Sequence, residues 1–292
     1  MKYFCYFCKN ELANMKQYFS LNIKGRLVEF FEPVVMGIIN ITPDSFYCDS
    51  RNSNVEQAVA TASKMLADGA AILDIGGCST RPDSTPASED EELARVIPVV
   101  SAIRKQFPNA IISIDTFRGT VAREAIKSGA DIINDISAGN FDCDILLAAA
   151  ELKAPYILTH PASSSLNADT NLDHTTSTVL LDLQKMVRKL RLQGVCDIII
   201  DPGFGFGKTL EQNYRLMTDL DAFKSLDCPI LVGISRKRMI NNLLEVTAQS
   251  DDSLIGTTTL NSFALSHGAN ILRVHDVKAA VNTIKIISKL SN

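Results

Sequence analysis

No stretch of these 292 residues stays apolar for the roughly 18 positions that a membrane-spanning helix needs, so the chain is not read as a membrane protein. Basic residues are in no excess. The 29 Lys and Arg stand against 33 Asp and Glu, for a net charge of −4. That balance argues against a general nucleic-acid binder, because no broad cationic surface is implied. The aromatic start, MKYFCYFCKNEL, is too short for a signal-peptide core, and polar residues follow it at once. The expected compartment is the cytoplasm, where the seven cysteines would be reduced thiols. Cys5 and Cys8 form a C-x-x-C, but no second pair exists to complete the four ligands of structural zinc. Residues 1–16 are therefore expected to be a poorly ordered extension. Low-complexity tracts and linkers are absent, so one domain is expected over 17–292.

What the chain does have is eight apolar runs rich in β-branched residues, most of them ending on a polar or charged side chain. They are VVMGIIN (34–40), AILDIGG (71–77), AIISIDT (110–116), DIINDIS (131–137), PYILTH (155–160), DIIIDPG (197–203), PILVGIS (229–235) and ILRVHD (271–276). Helical spacing fills the gaps, over 54–68, 88–106, 118–128, 141–152, 174–193, 209–225, 253–267 and 277–290. Eight strand–helix units in one chain imply a (β/α)8 TIM barrel, an α/β fold. Residues 17–31 alternate around Lys24-Gly25, which predicts an N-terminal β-hairpin plugging the barrel bottom. Asn54 with Gln57, and Ser88 with the acids after it, are expected to start helices. Gly69, Gly129 and Gly194 are expected to end them.

In such a barrel the C-terminal strand ends share one mouth. Asn40, Asp74, Asp115, Asn134, His160, Asp201, Lys237, Arg273 and His275 would meet there. Buried polar groups need partners, so a ring of them suggests a site for a polar ligand. Asp201 precedes a glycine-rich turn, PGFGFGKT, but only three residues separate Gly203 from Gly207-Lys208 where a phosphate loop has four. The better use of Asp201 is to accept two parallel hydrogen bonds from a flat heterocycle with adjacent N–H and NH2 groups, as in guanine or a pterin. Asp115 and Asn134 on neighbouring strands could complete the ring contacts. Arg273 and His275 share one face by period two, and they suit phosphate or pyrophosphate oxygens. Long polar connections at 42–54, 78–90 and 160–176 look like binding loops or lids.

MGIINITPDSF (36–46), DIGGCSTRP (74–82), SIDT (113–116), IINDIS (132–137), DPGFGFGKTLEQNYRLM (201–217), GISRKRM (233–239) and RVHDV (273–277) together resemble the dihydropteroate synthases. The resemblance implies a transferase of folate biosynthesis, the sulfonamide target, joining a dihydropterin pyrophosphate to p-aminobenzoate. It implies that Asp115, Asn134, Asp201 and Lys237 hold the pterin, and that Arg273 and His275 take the pyrophosphate. Asn40 would help coordinate Mg2+, and Phe46, Thr80, Arg81 and Pro82 would build the p-aminobenzoate pocket beside Phe206, Lys237 and Arg238. Asp115, Lys237, Arg273 and His275 carry the expected catalytic roles. Small-molecule substrates are the expected partners, with no nucleic acid or membrane, and a homodimer is implied by similarity.

The chain also departs from the family pattern. Cys48, Cys78 and Asp83 differ in the two long loops, Thr159 replaces a methionine on strand five, and Arg238 stands where serine is frequent. These changes are expected to alter loop closure, p-aminobenzoate affinity and sulfonamide response. Two other readings compete. A pterin-binding methyltransferase barrel would also need acids and an asparagine around a pterin, but not TPDSF, STRP, SRK and RVHD. A non-catalytic pterin-binding paralogue would fit the altered loops, but not the retained pyrophosphate anchors.

Overall fold

The computed structural model describes residues 18–41, 51–78, 86–162, 166 and 171–290. Two antiparallel strands, β1 (Phe19–Ile23) and β2 (Arg26–Phe30), form the expected hairpin. Its turn residues Lys24 and Gly25 have φ of 52° and 83°, the double positive φ that suits the twist of a two-residue hairpin loop. Eight parallel strands follow: β3 (Val34–Asn40), β4 (Ile72–Gly76), β5 (Ile111–Asp115), β6 (Ile132–Asp135), β7 (Tyr156–Thr159), β8 (Ile198–Asp201), β9 (Leu231–Val232) and β10 (Ile271–Val274). Their order, β8-β7-β6-β5-β4-β3-β10-β9, is closed by a parallel bridge between Ile200 and Ile230. The helices are α1 (Arg51–Ala67), α2 (Glu89–Gln106), α3 (Gly119–Ser128), α4 (Asp144–Leu152), α5 (Thr175–Leu192), α6 (Leu210–Thr218), α7 (Arg238–Leu244), α8 (Asp251–Ser266) and α9 (Val277–Leu290). Among the described residues no helix is long and apolar enough to cross a membrane.

The strands are apolar on both faces because a parallel barrel buries both. One residue from each strand joins a single inner cluster: Met36, Ile72, Ile111, Ile132, Ile157, Ile199, Leu231 and Ile271. They pack against Phe19, Leu21, Ile23 and Phe30 of the hairpin, which thus stoppers the barrel as expected. Their neighbours in sequence, such as Leu73, Ile112, Ile133 and Leu158, face the helices and join the larger core. Two residues beyond the floor, the inward positions turn polar on β4 to β8 and β10, while β3 keeps Ile38 and β9 is followed by Gly233.

Local signals held unevenly. Ser88 caps α2 in a reciprocal box with Glu91, and Gly69, Gly129 and Gly194 have positive φ just past helix ends. Asn54 does not cap α1, which already begins at Arg51. The stretch 209–225 is two elements, α6 and a 3-10 turn over Leu220–Leu226, rather than one helix. Helix α7 was not expected, and the physical reason is its length: seven residues bury only Met239 and Ile240, too few to set a helical period.

Candidate active site

Above the apolar floor the inward positions read Asp74, Ser113, Asn134, Thr159 and Asp201, with Asp115 and Asn40 one step further out. Strand register fixes these neighbours: Asp74 lies beside Ser113, Asp115 beside Asn134, and Thr159 beside Asp201. Arg273 reaches into the ring from β10. Its Nε donates to Asp74 Oδ2 at 2.6 Å, and its Nη2 donates to Asp115 Oδ2 at 2.5 Å. Asn134 Nδ2 donates to the same Asp74 oxygen at 3.0 Å. Asp74 is fully buried, and its Oδ1, like Ser113 Oγ, has no hydrogen-bond partner. One buried carboxylate therefore orients both the arginine and the asparagine.

Burial raises the Asp115 carboxyl to about 7, while Arg273 pulls it down and Asp74 pushes it up. Asp201 is raised by burial too, against the Lys237 ammonium and the Gly203 N–H that donates to its Oδ1 at 2.8 Å. Lys237 is lowered to about 8 by burial, with Asp201 supporting its charge. Arg273 loses hydration by burial, but Asp74 and Asp115 more than restore its hold on the proton. The rim therefore gathers acids and cations whose protons are balanced against one another, a pattern common at working sites.

The loop from β8 to α6 borders this rim. Lys237 Nζ donates to the Phe204 carbonyl at 2.7 Å and lies 4.7 Å from the Phe206 ring centroid. Lys208 turns inward onto backbone oxygens of its own loop, and burial lowers it to about 7, with Asp201 opposing and Lys237 adding to the fall. Asn40 is exposed at the end of β3. A Cβ built on Gly76 would lie 3.7 Å from Asn40 Oδ1 and 3.4 Å from Asp115 Cβ, so both residues face the same spot.

The sequence-derived residues divide accordingly. Asp115, Asn134, Asp201, Lys237 and Arg273 meet at one rim. His275 sits exposed beside it, with Nδ1 at 3.0 Å from Ser235 Oγ. Arg238 is exposed at the start of α7, and Phe206 is half-buried. Phe46, Cys48, Thr80, Arg81, Pro82 and Asp83 lie outside the described residues, as do residues 1–17 with Cys5 and Cys8. Thr159 is buried and faces inward by the parity of β7. His160 does not join the ring. The same parity turns it outward, fully buried, with Nε2 at 3.6 Å from Asp182 Oδ2 on α5 and a proton affinity lowered to about 4 by burial. Arg236 is spent on Asp276, Nε to Oδ2 at 2.7 Å, and on the carbonyls of Ala248 and Ser250. The sequence places Asp74 in the polar ring without a specific task and presents Lys208 only within a phosphate-loop-like turn. Asp74 was visible, two residues beyond Ile72 on an inward face.

A cleft of 1090 Å³ opens at the other end of the barrel, lined in part by Phe19, Phe31, Arg191, Cys228 and Ile284. It contains none of the rim residues, and that end of a barrel ordinarily serves stability.

Comparison with known proteins agrees with the geometry. The family model described as pterin binding enzyme matches residues 36–275. A dihydropteroate synthase of Streptococcus pyogenes is 40% identical over 268 residues, spanning 91% of this chain and 98% of the relative. The dihydropteroate synthase of Coxiella burnetii, solved in complex with pteroic acid, superposes with a TM-score of 0.85 at 40% identity, covering 94% of this chain and 99% of that one. The enzyme of Xanthomonas albilineans, solved with 4-aminobenzoic acid, gives 0.82 at 35% identity over 93% and 97%. By fold, by rim and by these likenesses, the chain belongs to the pterin-binding enzyme family, among its dihydropteroate synthases.

Proposed function

We propose that the chain condenses 6-hydroxymethyl-7,8-dihydropterin pyrophosphate with p-aminobenzoate, releasing 7,8-dihydropteroate and pyrophosphate. The observation that carries this reading is the rim itself: Arg273 joined to Asp74 and Asp115, with Asn134, Asp201 and Lys237 around the same opening. In this proposal Asp201 accepts the paired N–H groups of the pterin edge, and Asp115 and Asn134 complete the ring contacts. Lys237 reaches the same ring. A guanidinium has five N–H donors. Two of those of Arg273 serve carboxylates, and the others are directed to pyrophosphate oxygens together with His275.

The chemistry suits those residues. The methylene C–O bond breaks with its electron pair leaving on pyrophosphate, a C–N bond forms, and the amine gives up a proton. Arg273 and His275 stabilise charge growing on the leaving oxygen, which is where preorganised charge has most effect. Asp115, close to the pterin ring, favours positive charge shared between ring and methylene. An aryl amine is neutral near pH 7, so it needs no strong base and no nucleophilic side chain.

Mg2+ is part of the proposal. The ion prefers oxygen ligands, keeps several waters and commonly rides on substrate phosphates with one or two protein oxygens. Asn40 Oδ1, exposed beside Asp115, fits such a donor, and among the described residues no cluster of three His, Cys, Asp or Glu offers a cage of its own. Bound there, the ion would neutralise the departing pyrophosphate.

Phe46, Thr80, Arg81 and Pro82, with Phe206, Lys237 and Arg238, are assigned to p-aminobenzoate. Thr159, Cys78 and the other departures are taken to change the KM for p-aminobenzoate and the response to sulfonamides. Ordinary values of both would refute that part. Residues 17–292 are proposed to form one domain and 1–16 an extension. A homodimer through the later helices is supported by the exposed Leu243 and Leu244 on α7 and Ile255 and Phe263 on α8. A cytoplasmic setting accords with the unbridged thiols of Cys143, Cys196 and Cys228.

The decisive assay is pyrophosphate release on mixing both substrates with Mg2+. Release should need both substrates and fall by roughly 100-fold or more in Asp201→Ala and Arg273→Ala. A parent protein that releases none would refute the reading and favour a binding-only paralogue. Corrinoid-dependent demethylation would favour a methyltransferase.

A further inference from the structure

Lys208 is a half-buried cation at the mouth for which the proposed chemistry has no use. Its place after Gly-x-Gly-x-Gly invites a phosphate role, yet its ammonium is taken up by backbone oxygens. Nζ donates to the Gly203 carbonyl at 2.7 Å and the Phe206 carbonyl at 3.1 Å, and lies 3.5 Å from the His160 carbonyl oxygen. Three convergent acceptors match the three N–H groups of an ammonium. The loop they bind has positive φ at Gly203, Gly205 and Gly207. Glycines permit that path but do not hold it, since they also permit many others. Lys237 grips the same loop at other points, the Phe204 carbonyl and the Phe206 ring. His160 follows β7 directly, so the Lys208 ammonium also faces the start of a second loop.

We infer that Lys208 is a positioning residue for the aryl-amine substrate. By fixing the Phe206 carbonyl it sets the ring that faces the Lys237 ammonium. The pterin contacts at Asp115 and Asn134 are set by strand ends; Asp201 also accepts from the Gly203 N–H but is anchored by β8 beside Thr159, so the pterin site depends on Lys208 less than Phe206 does. This inference rests on reading Phe206 as part of the p-aminobenzoate pocket.

The test compares Lys208→Met with the parent by two readouts: the KM for p-aminobenzoate at saturating pterin pyrophosphate, and the Kd of pterin pyrophosphate by calorimetry without the amine. Lys208→Met should raise that KM by about tenfold or more and change the Kd by less than about threefold, because a misplaced ring weakens one substrate only. Lys208→Arg keeps the charge but not the three convergent directions, so it should fall between the two. Since the effect runs through one ring, Lys208→Met on a Phe206→Ala background should add nothing further. A KM within about twofold of the parent, a KM and Kd that worsen together, or effects that multiply in the double variant would each overturn the inference. Should Lys208→Met fail to fold, Lys208→Arg alone and with Phe206→Ala carries the same comparison. A parent without turnover defeats the functional reading instead, so the two failures stay distinct.

Discussion

Replacing Arg273 with Met keeps most of the side-chain volume and deletes the cation between two carboxylates. Asp74 is fully buried, and the Asp115 side chain is 12% exposed. Removing one partner of a buried ion pair costs roughly 3–5 kcal/mol. At about 2–4 °C per kcal/mol for a domain approaching this size, the melting midpoint should fall by roughly 6–20 °C. The loss should also depend on pH. Burial has already raised Asp115 to about 7, and Arg273 is the largest influence holding it down. An acid raised on folding stabilises the fold fully below its unfolded value, and that contribution is lost as pH rises through the folded value. Without Arg273 the folded value climbs further. Near pH 5 Asp115 escapes the penalty by binding a proton, whereas near pH 8 the variant must bury a bare charge or take up a proton at a cost. Thermal melts of parent and variant at both pH values should show the larger gap at pH 8. A gap below about 2 °C at pH 8, or equal gaps at both pH values, would refute this electrostatic account.

Two further outcomes follow from local geometry. Gly203 has φ +76°, and an added Cβ would stand 2.0 Å from the His160 carbonyl oxygen, so Gly203→Ala should cost more than about 2 kcal/mol in thermal unfolding. Asn40→Ala should raise the Mg2+ concentration for half-maximal pyrophosphate release by about tenfold or more. Because Asn40 is exposed, its melting midpoint should stay within about 1 °C of the parent; a Mg2+ titration and a melt check both parts.

Much of this molecule was legible in the sequence because the barrel repeats one rule eight times. An apolar run ending in a polar residue states both a strand and the direction of its mouth, and Asp115, Asn134, Asp201 and Arg273 were found that way. The hairpin was equally plain from alternation around Lys24-Gly25. Misreadings arose where position along a strand was read without its parity. His160 ends a strand as surely as Asp201, but it is one residue out of step with Thr159 and so faces Asp182. Asp74 was in step, yet its work is to orient Arg273 and Asn134, and a contact spanning 199 positions leaves no local trace. Lys208 was weighed only as a possible phosphate ligand, since spacing cannot say which way a lysine turns. Asn54 was a plausible helix start that the chain overruled by beginning α1 three residues earlier.

The linkage of Arg273 to Asp74 and Asp115 bears on how the chain comes off the ribosome. These partners are 199 and 158 positions apart, so at about 5–20 residues per second the acids emerge roughly 8–40 s before their counter-ion. Until translation reaches the eighth barrel strand, two carboxylates meant for a dry interior lack the guanidinium that pairs with both, and nascent fragments leave them hydrated. Closure of the barrel and neutralisation of its interior thus arrive together, once the strand that carries Arg273 has been made.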